Sequence, residues 1–343
     1  MAPSPKVSIL VPTYNYARFL PEALESVLRQ DFSDFELIVS DDCSNDNSAE
    51  VLNHFALRDR RVQIQLHKKN LGMVANWNWC LGQARGEYVR YLFGDDCMAH
   101  PSALSQQVEA LDKNPSAAFA FSARFTVDEN TSLTGIWDEF KTSGLHSGPQ
   151  AIVRCLLESS NLLGEPSAVM FRRTLGTRGF DPTLRQIVDL EMWFHLLTQG
   201  DAVYSAEPLC CFRQHGAQQT AVNRASQAGN IEMAQILRAY LPRLRHGDNQ
   251  ALRPSAINRV LFRAYIHLLK KDARLPALAA EIEWLRNQLT PSNRLVCWLA
   301  YRFARPAENL RRSIRKRTLR HRLRTQFADQ REFISGLKHR ASA

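Results

Sequence analysis

The chain has 343 residues, 45% hydrophobic and 23% charged, a length and composition suited to a sizeable core and about two globular domains. Its net charge of +10 is concentrated in residues 301–343, which hold 13 Lys+Arg against three acids, so the body is near neutral and a nucleic-acid-binding role is not expected. Seven cysteines without a C-x-x-C pair fit neither a disulfide framework nor a zinc site. With no signal peptide and no run of about 18 apolar residues, they lead to the expectation of a cytoplasmic protein with reduced thiols.

Val7 to Val11 is an apolar run stopped by Pro12 and reads as a buried strand. Phe19, Ala23, Leu24, Val27 and Leu28 recur at helical spacing. Phe35 to Ser40 reads as a second strand, closed by the turn-rich Asp41-Asp42-Cys43-Ser44-Asn45-Asp46. A helix over 49–57, a strand over 62–66, a helix over 73–84 and a strand over 87–93 follow, the last ended by Gly94-Asp95-Asp96. This alternation predicts an α/β fold, a mostly parallel sheet flanked by helices, with ligands beyond the carboxyl ends of its strands. Those ends carry Pro12-Thr13-Tyr14-Asn15, Asp41-Asp42 and Asp95-Asp96. Farther on, 102–111 reads as a helix, 117–122 as a strand, 128–149 as a polar, mobile loop, and 152–157 and 190–197 as helices. From about residue 230 the pattern is helical throughout. The expected division is 1–225, split into a nucleotide-binding half (1–100) and an acceptor half (101–225), followed by a helical region over 226–343.

The run Val7-Ser8-Ile9-Leu10-Val11-Pro12-Thr13-Tyr14-Asn15, with Ser26-Val27-Leu28-Arg29-Gln30, Glu36 to Asp46, Asn70-Leu71-Gly72, Gly86-Glu87-Tyr88-Val89 and Gly94-Asp95-Asp96 in order, resembles the opening of family-2 glycosyltransferases. The resemblance spans roughly 7–220. It implies a GT-A, Rossmann-like fold and inverting, metal-dependent, non-processive transfer of a sugar from a nucleotide-sugar, UDP-linked by expectation, to an acceptor hydroxyl.

Adjacent acids at a strand end suit Mn²⁺ or Mg²⁺, which needs one or two protein carboxylates when phosphates and water complete its shell. In the resemblance the last acid of a three-residue acidic motif holds the metal. Since the third position here is Cys97, the metal falls to Asp96, and Asp95 goes to the ribose or the metal shell. Asp42 is carried over as acceptor of a base-ring N–H, with Asp41 beside it; Pro12 and Tyr14 contact the base, and Asn15, Asn70 and Asn76 complete the nucleotide set. Asp41 or Ser44 equally suits a helix cap. Asp189, four residues before Trp193, matches the family's general base, with Val188 where relatives have an acid and Glu191 as the fallback. Phe212-Arg213-Gln214-His215 resembles the segment whose His completes the metal site and whose Arg suits phosphate. His195 and the tryptophans at 77 and 79 read as packing, and Gly164-Glu165-Pro166-Ser167 as a turn resembling an acceptor loop.

Arginines at 311, 312, 315, 317, 320, 322 and 324 interleave with Leu310, Ile314, Leu319 and Leu323, which reads as an amphipathic tail over 302–343 for an anionic membrane surface, peripheral on the inner face of the plasma membrane. A helix packed on the body and a partner-binding helix are the alternatives. Family analogy adds a polyprenyl-linked or glycan acceptor from surface-polysaccharide assembly. A sugar nucleotidyltransferase would need a Gly-rich basic loop, and residues 8–20 contain no Gly and only Arg18; the other rival is a catalytically silent transferase-like protein acting through its basic tail.

Overall fold

The computed structural model describes residues 4–216, 228–246, 254–269, 276–299, 302, 318, 322–323 and 325–341. One mixed sheet of ten strands runs through the body in the order β3-β2-β1-β4-β9-β6-β10-β5, with β7 added to β6 and β8 to β10. Its first part is the expected parallel unit. β1 (Val7–Thr13) pairs in parallel with β2 (Phe35–Asp41) and β4 (Tyr88–Tyr91), and β2 with β3 (Val62–Leu66). Every residue of β1, β2 and β4 is buried, so the strands are covered on both faces and no exposed face alternates with a buried one.

Helices cover both faces. On one lie α1 (Leu20–Leu28), α2 (Ser48–Arg58) and α4 (Ala103–Lys113), packing Leu24, Val27, Leu52, Phe55, Leu104 and Val108 onto Ile9, Val11 and Leu37. On the other lie α3 (Met73–Gln83), α5 (Gly148–Glu158) and α6 (Val188–Leu197), backed by α7 (Ala228–His246), α8 (Pro254–Leu269) and α9 (Pro276–Gln288). Trp193, fully buried on α6, meets Phe119, Phe171 and Phe180 at ring distances of 5.8–6.3 Å. A buried side chain of this kind contributes about 1.5–3 kcal/mol.

The second half of the sheet departs from expectation. β6 (Ala117–Val127) runs five residues past the expected strand. Strands β7 (Leu133–Trp137) and β8 (Gly144–His146) lie within 128–149, where a mobile loop was expected. Their polar residues are edge-strand residues: β7 hydrogen-bonds β6, and β8 hydrogen-bonds β10 (Asp201–Arg213). The long β10 carries Pro208 in mid-strand, accommodated where its register against β6 shifts. Strands β5 (Cys97–Met98) and β9 (Val169–Arg172) complete the sheet.

Half of the proposed amphipathic tail, including 303–317, lies outside the described residues. Its far end is described as α10 (Ala328–Ala341), which packs along α1. Phe333, Ile334 and Leu337 sit in a cluster with Cys97, Phe125, Val127 and Cys211. That stretch is therefore a helix docked on the body. Among the described residues no helix is long and apolar enough to cross a membrane.

Candidate active site

The carboxyl ends of β1, β2 and β4 open into a cleft of about 550 Å³, whose walls include Pro12, Tyr14, Asp42, Asp95, Glu165 and Asp189. Acids separated by almost 150 positions thus surround one space because parallel strands end on one rim.

On the β1–β2 side, Asn15 adopts φ 56° and ties the two loops together: its N–H donates to Ser44 Oγ (2.8 Å), and its Oδ1 accepts from Asn45 N–H (2.8 Å). Asp42 faces the cleft, with Oδ1 accepting from Leu71 N–H (2.6 Å) and Oδ2 from Gly72 N–H (3.0 Å). Gly72, at φ +91°, supplies the backbone turn that aims this pair of donors. Asn70 Nδ2 donates to Asp42 O (3.0 Å). Asp41 is turned away: its carboxylate holds Ser44 N–H (3.0 Å) and Ser44 Oγ (2.5 Å), a turn within the loop, and neither residue caps the helix that begins at Ser48. Asn76 reaches the cleft wall with its amide engaged at both ends, Nδ2 donating to Ser40 O (3.1 Å) and Oδ1 accepting from Ser40 Oγ (2.6 Å). Tyr14 is 43% exposed, an open ring face at the cleft mouth.

The Asp95-Asp96 turn points its two carboxylates in different directions, with Asp95 and not Asp96 in the cleft wall. Asp96 is buried: Oδ2 accepts from Ser167 Oγ (2.5 Å) and Oδ1 from Arg213 N–H (2.9 Å), and burial, reinforced by the Asp95 charge, pushes its pKa well above the usual range. Asp95 faces the cleft, 3.0 Å from His215 Nε2, and Tyr16 hydrogen-bonds to the same carboxylate. Burial first, then the Asp95 and Asp96 charges, pushes the Tyr16 pKa upward, so its hydroxyl stays a donor. Gly94 is required by close approach, since a Cβ there would lie 2.7 Å from Thr13 Oγ1. Arg213, expected to meet phosphate, is fully buried. It pairs with Glu22, donates from Nε to Asp95 O (2.6 Å) and from Nη1 to Thr131 Oγ1 (2.7 Å), and lies over the Phe19 ring. It therefore braces the acidic turn from behind.

Asp189 opens α6. Its Oδ2 accepts from Asn161 Nδ2 (2.9 Å) and its Oδ1 from Leu190 N–H (2.7 Å). Burial, and secondarily the Glu165 charge, raises its pKa from the ordinary 3.8 to about 7. Glu165, expected in a turn resembling an acceptor loop, lies in the cleft wall and pairs with Arg124 Nε at 2.5 Å. Asn161 Nδ2 also donates to Gly164 O (3.0 Å), which accepts from Trp193 Nε1 too (2.9 Å), so Glu165 and Asp189 are fixed to one scaffold. Glu191, the fallback base, is engaged by Arg178 (2.6 Å) and the Tyr240 hydroxyl (2.7 Å). His195 lies on the outer side of α6 beside Gln199 (3.0 Å). Sequence reading also missed Tyr16, Arg185 and Gln186 as cleft residues.

The residues present fit a divalent cation. Asp95 Oδ2 and His215 Nε2 are both donors suited to Mn²⁺, and ligand atoms about 2.1 Å from a six-coordinate ion at right angles lie about 3 Å apart. The observed separation is 3.0 Å. Among the described residues no cluster of three or more His, Cys, Asp or Glu is present.

A sheet of this topology, with an acidic rim and a buried carboxylate facing it, is the arrangement of the GT-A fold. The chain matches the family described as Glycosyl transferase family 2 over residues 8–174. It is 28% identical over 201 residues to the putative teichuronic acid biosynthesis glycosyltransferase TuaG of Bacillus subtilis, covering 58% of this chain and 75% of TuaG. Residues 1–349 of S. aureus TarS, solved with UDP-GlcNAc, share the fold at a TM-score of 0.55 and 18% identity, covering 87% of this chain and 92% of that one. The mannosyltransferase PcManGT of Pyrobaculum calidifontis, solved with GDP-Man and Mn²⁺, does so at 0.52 and 19%, covering 99% and 87%.

Proposed function

We propose that this enzyme transfers a single sugar, with inversion, from a nucleoside-diphosphate sugar of the UDP-linked class to a hydroxyl of a glycan or lipid-linked acceptor. The observation that carries the reading is the shared cleft of Asp42, Asp95 and Asp189. The Asp42 loop and Tyr14 hold the base, and Asn15 keeps the two nucleotide loops in register. Asp95 and His215 would hold Mn²⁺ or Mg²⁺, which would supply Lewis-acid stabilisation of the departing diphosphate; Asp96 fixes the turn that presents Asp95. Arg185, in the cleft wall, adds positive charge toward the diphosphate. Asp189, ionised above pH of about 7, accepts the acceptor hydroxyl proton as that oxygen attacks, and a single displacement inverts the anomeric centre.

TuaG, named for surface-polymer synthesis, supports a cell-envelope glycan as acceptor class. The test is nucleoside-diphosphate release from a panel of nucleotide sugars with Mn²⁺. The expected result is turnover of one donor, lost by about 10²–10⁴-fold in Asp189→Asn with donor binding retained. Unimpaired turnover in that variant removes the assigned base.

A further inference from the structure

Helix 291–299 carries an apolar face that the described fold leaves uncovered. Leu295 is 59% exposed, Val296 64%, Trp298 48% and Leu299 40%, while Cys297 between them is buried. At 3.6 residues per turn the four exposed side chains share an arc of about 160°, with Cys297 on the opposite side. Contiguous exposed apolar groups of this size mark a contact surface. Charge specifies the partner. A hollow of about 480 Å³ at the start of this helix is walled by Arg286 and Arg294 with Glu283 as its one acid. Arg302, helical and exposed, follows the apolar face in sequence. The sequence from there to residue 324 adds nine further Lys+Arg against a single acid, Glu308. An apolar face containing a tryptophan and bordered by arginines matches the boundary between acyl chains and anionic headgroups, where Trp sits at headgroup level and Arg extends toward phosphate. A protein partner of matching shape has no such need for cations along the rim.

We propose that residues 286–299, together with Arg302, form a docking surface for an anionic lipid bilayer, with Leu295, Val296, Trp298 and Leu299 entering the interface and Arg286, Arg294 and Arg302 meeting lipid phosphates. This site precedes the tail over 302–343 singled out by charge, and it does not depend on the transferase reading, since binding is scored without donor or acceptor.

The experiment is co-sedimentation of the full chain with phosphatidylcholine vesicles, with and without phosphatidylglycerol, accompanied by Trp298 fluorescence in a variant whose other five tryptophans are Phe. The expected result is binding to the anionic vesicles only, a blue shift of Trp298 emission, and about tenfold or greater loss of binding in Leu295→Glu/Trp298→Glu. Arg286→Gln/Arg294→Gln weakens binding and leaves the wild-type melting temperature, which separates lost contact from lost fold. Failure of the wild type to sediment with anionic vesicles overturns the proposal. So does equal binding by the Glu variant, or light scattering that shows a dimer in solution dispersed by the same variant.

Discussion

Asp189 has to be chargeable to act as a base and is placed where charge is unfavourable. Burial and Glu165 hold its pKa near 7, so the folded protein retains a proton there that the unfolded chain releases above its ordinary value of 3.8. As pH rises from about 4 to 7 this group therefore makes the fold progressively less stable, while activity rises through the same range as the carboxylate forms. Asp189→Asn is expected to abolish transfer and to raise the melting temperature at pH 8 by a few degrees, read by scanning calorimetry. Removing the neighbouring charge has a separate signature. Glu165→Gln keeps the shape beside Arg124 and lowers the Asp189 pKa, so the acid limb of kcat/KM against pH moves to lower pH; an unmoved limb would show that the two groups do not communicate. The Asp95 and Asp96 pair is expected to divide likewise. Asp95→Asn removes Mn²⁺-dependent UDP binding, read by calorimetry, with little change in melting temperature. Asp96→Ala strips acceptors from Ser167 and Arg213 and lowers stability by about 1–3 kcal/mol. Adjacent acids read identically in sequence; only the direction of each side chain, set by Ser167 and Arg213 far along the chain, tells them apart.

At the scale of elements, the loop before α6 is held from outside the sheet. Glu232 of α7 accepts the N–H groups of Arg185 (2.8 Å), Gln186 (2.9 Å) and Ile187 (3.0 Å), three consecutive donors that would otherwise be left at a helix entrance. Glu232→Ala is expected to lower kcat about tenfold or more through misplacement of Asp189 and Arg185, with the pH profile unchanged in shape. Sequence periodicity made β1 to β4 and the helices between them legible, because a buried parallel strand is a short apolar run closed by a turn. It failed over 128–149 and across β10. There the strands are edges or carry Glu207-Pro208, and β8 and β10 find their partners 56 to 86 residues away. The nucleotide rim was legible for the same reason as β1 to β4. Glu165, Tyr16 and Glu232 were not, since each acts through a contact distant in sequence, and the arginine at 213 was misread because its ion pair with Glu22 spans most of the body.

Across the whole molecule, the sheet is closed at one end by α10, whose Phe333, Ile334 and Leu337 cover Phe125 and the strands bearing Cys97 and Cys211. Replacing Phe333 by Ala opens that cluster and is expected to cost about 3–5 kcal/mol, measured by urea unfolding, with Mn²⁺ affinity falling as the turn at 95–96 loosens.

The bracing of the acidic turn also sets an order in time. Rim groups from residues 12–95 leave the ribosome early, but Arg213 and His215 must be translated before the turn is locked, Glu232 before the base is aimed, and Leu337 before the underlying strands are covered. A nascent chain can thus have its sheet begun and its nucleotide loops paired while remaining unable to turn over donor. Premature termination anywhere upstream of residue 232 yields an inert product rather than a leaky, donor-wasting one.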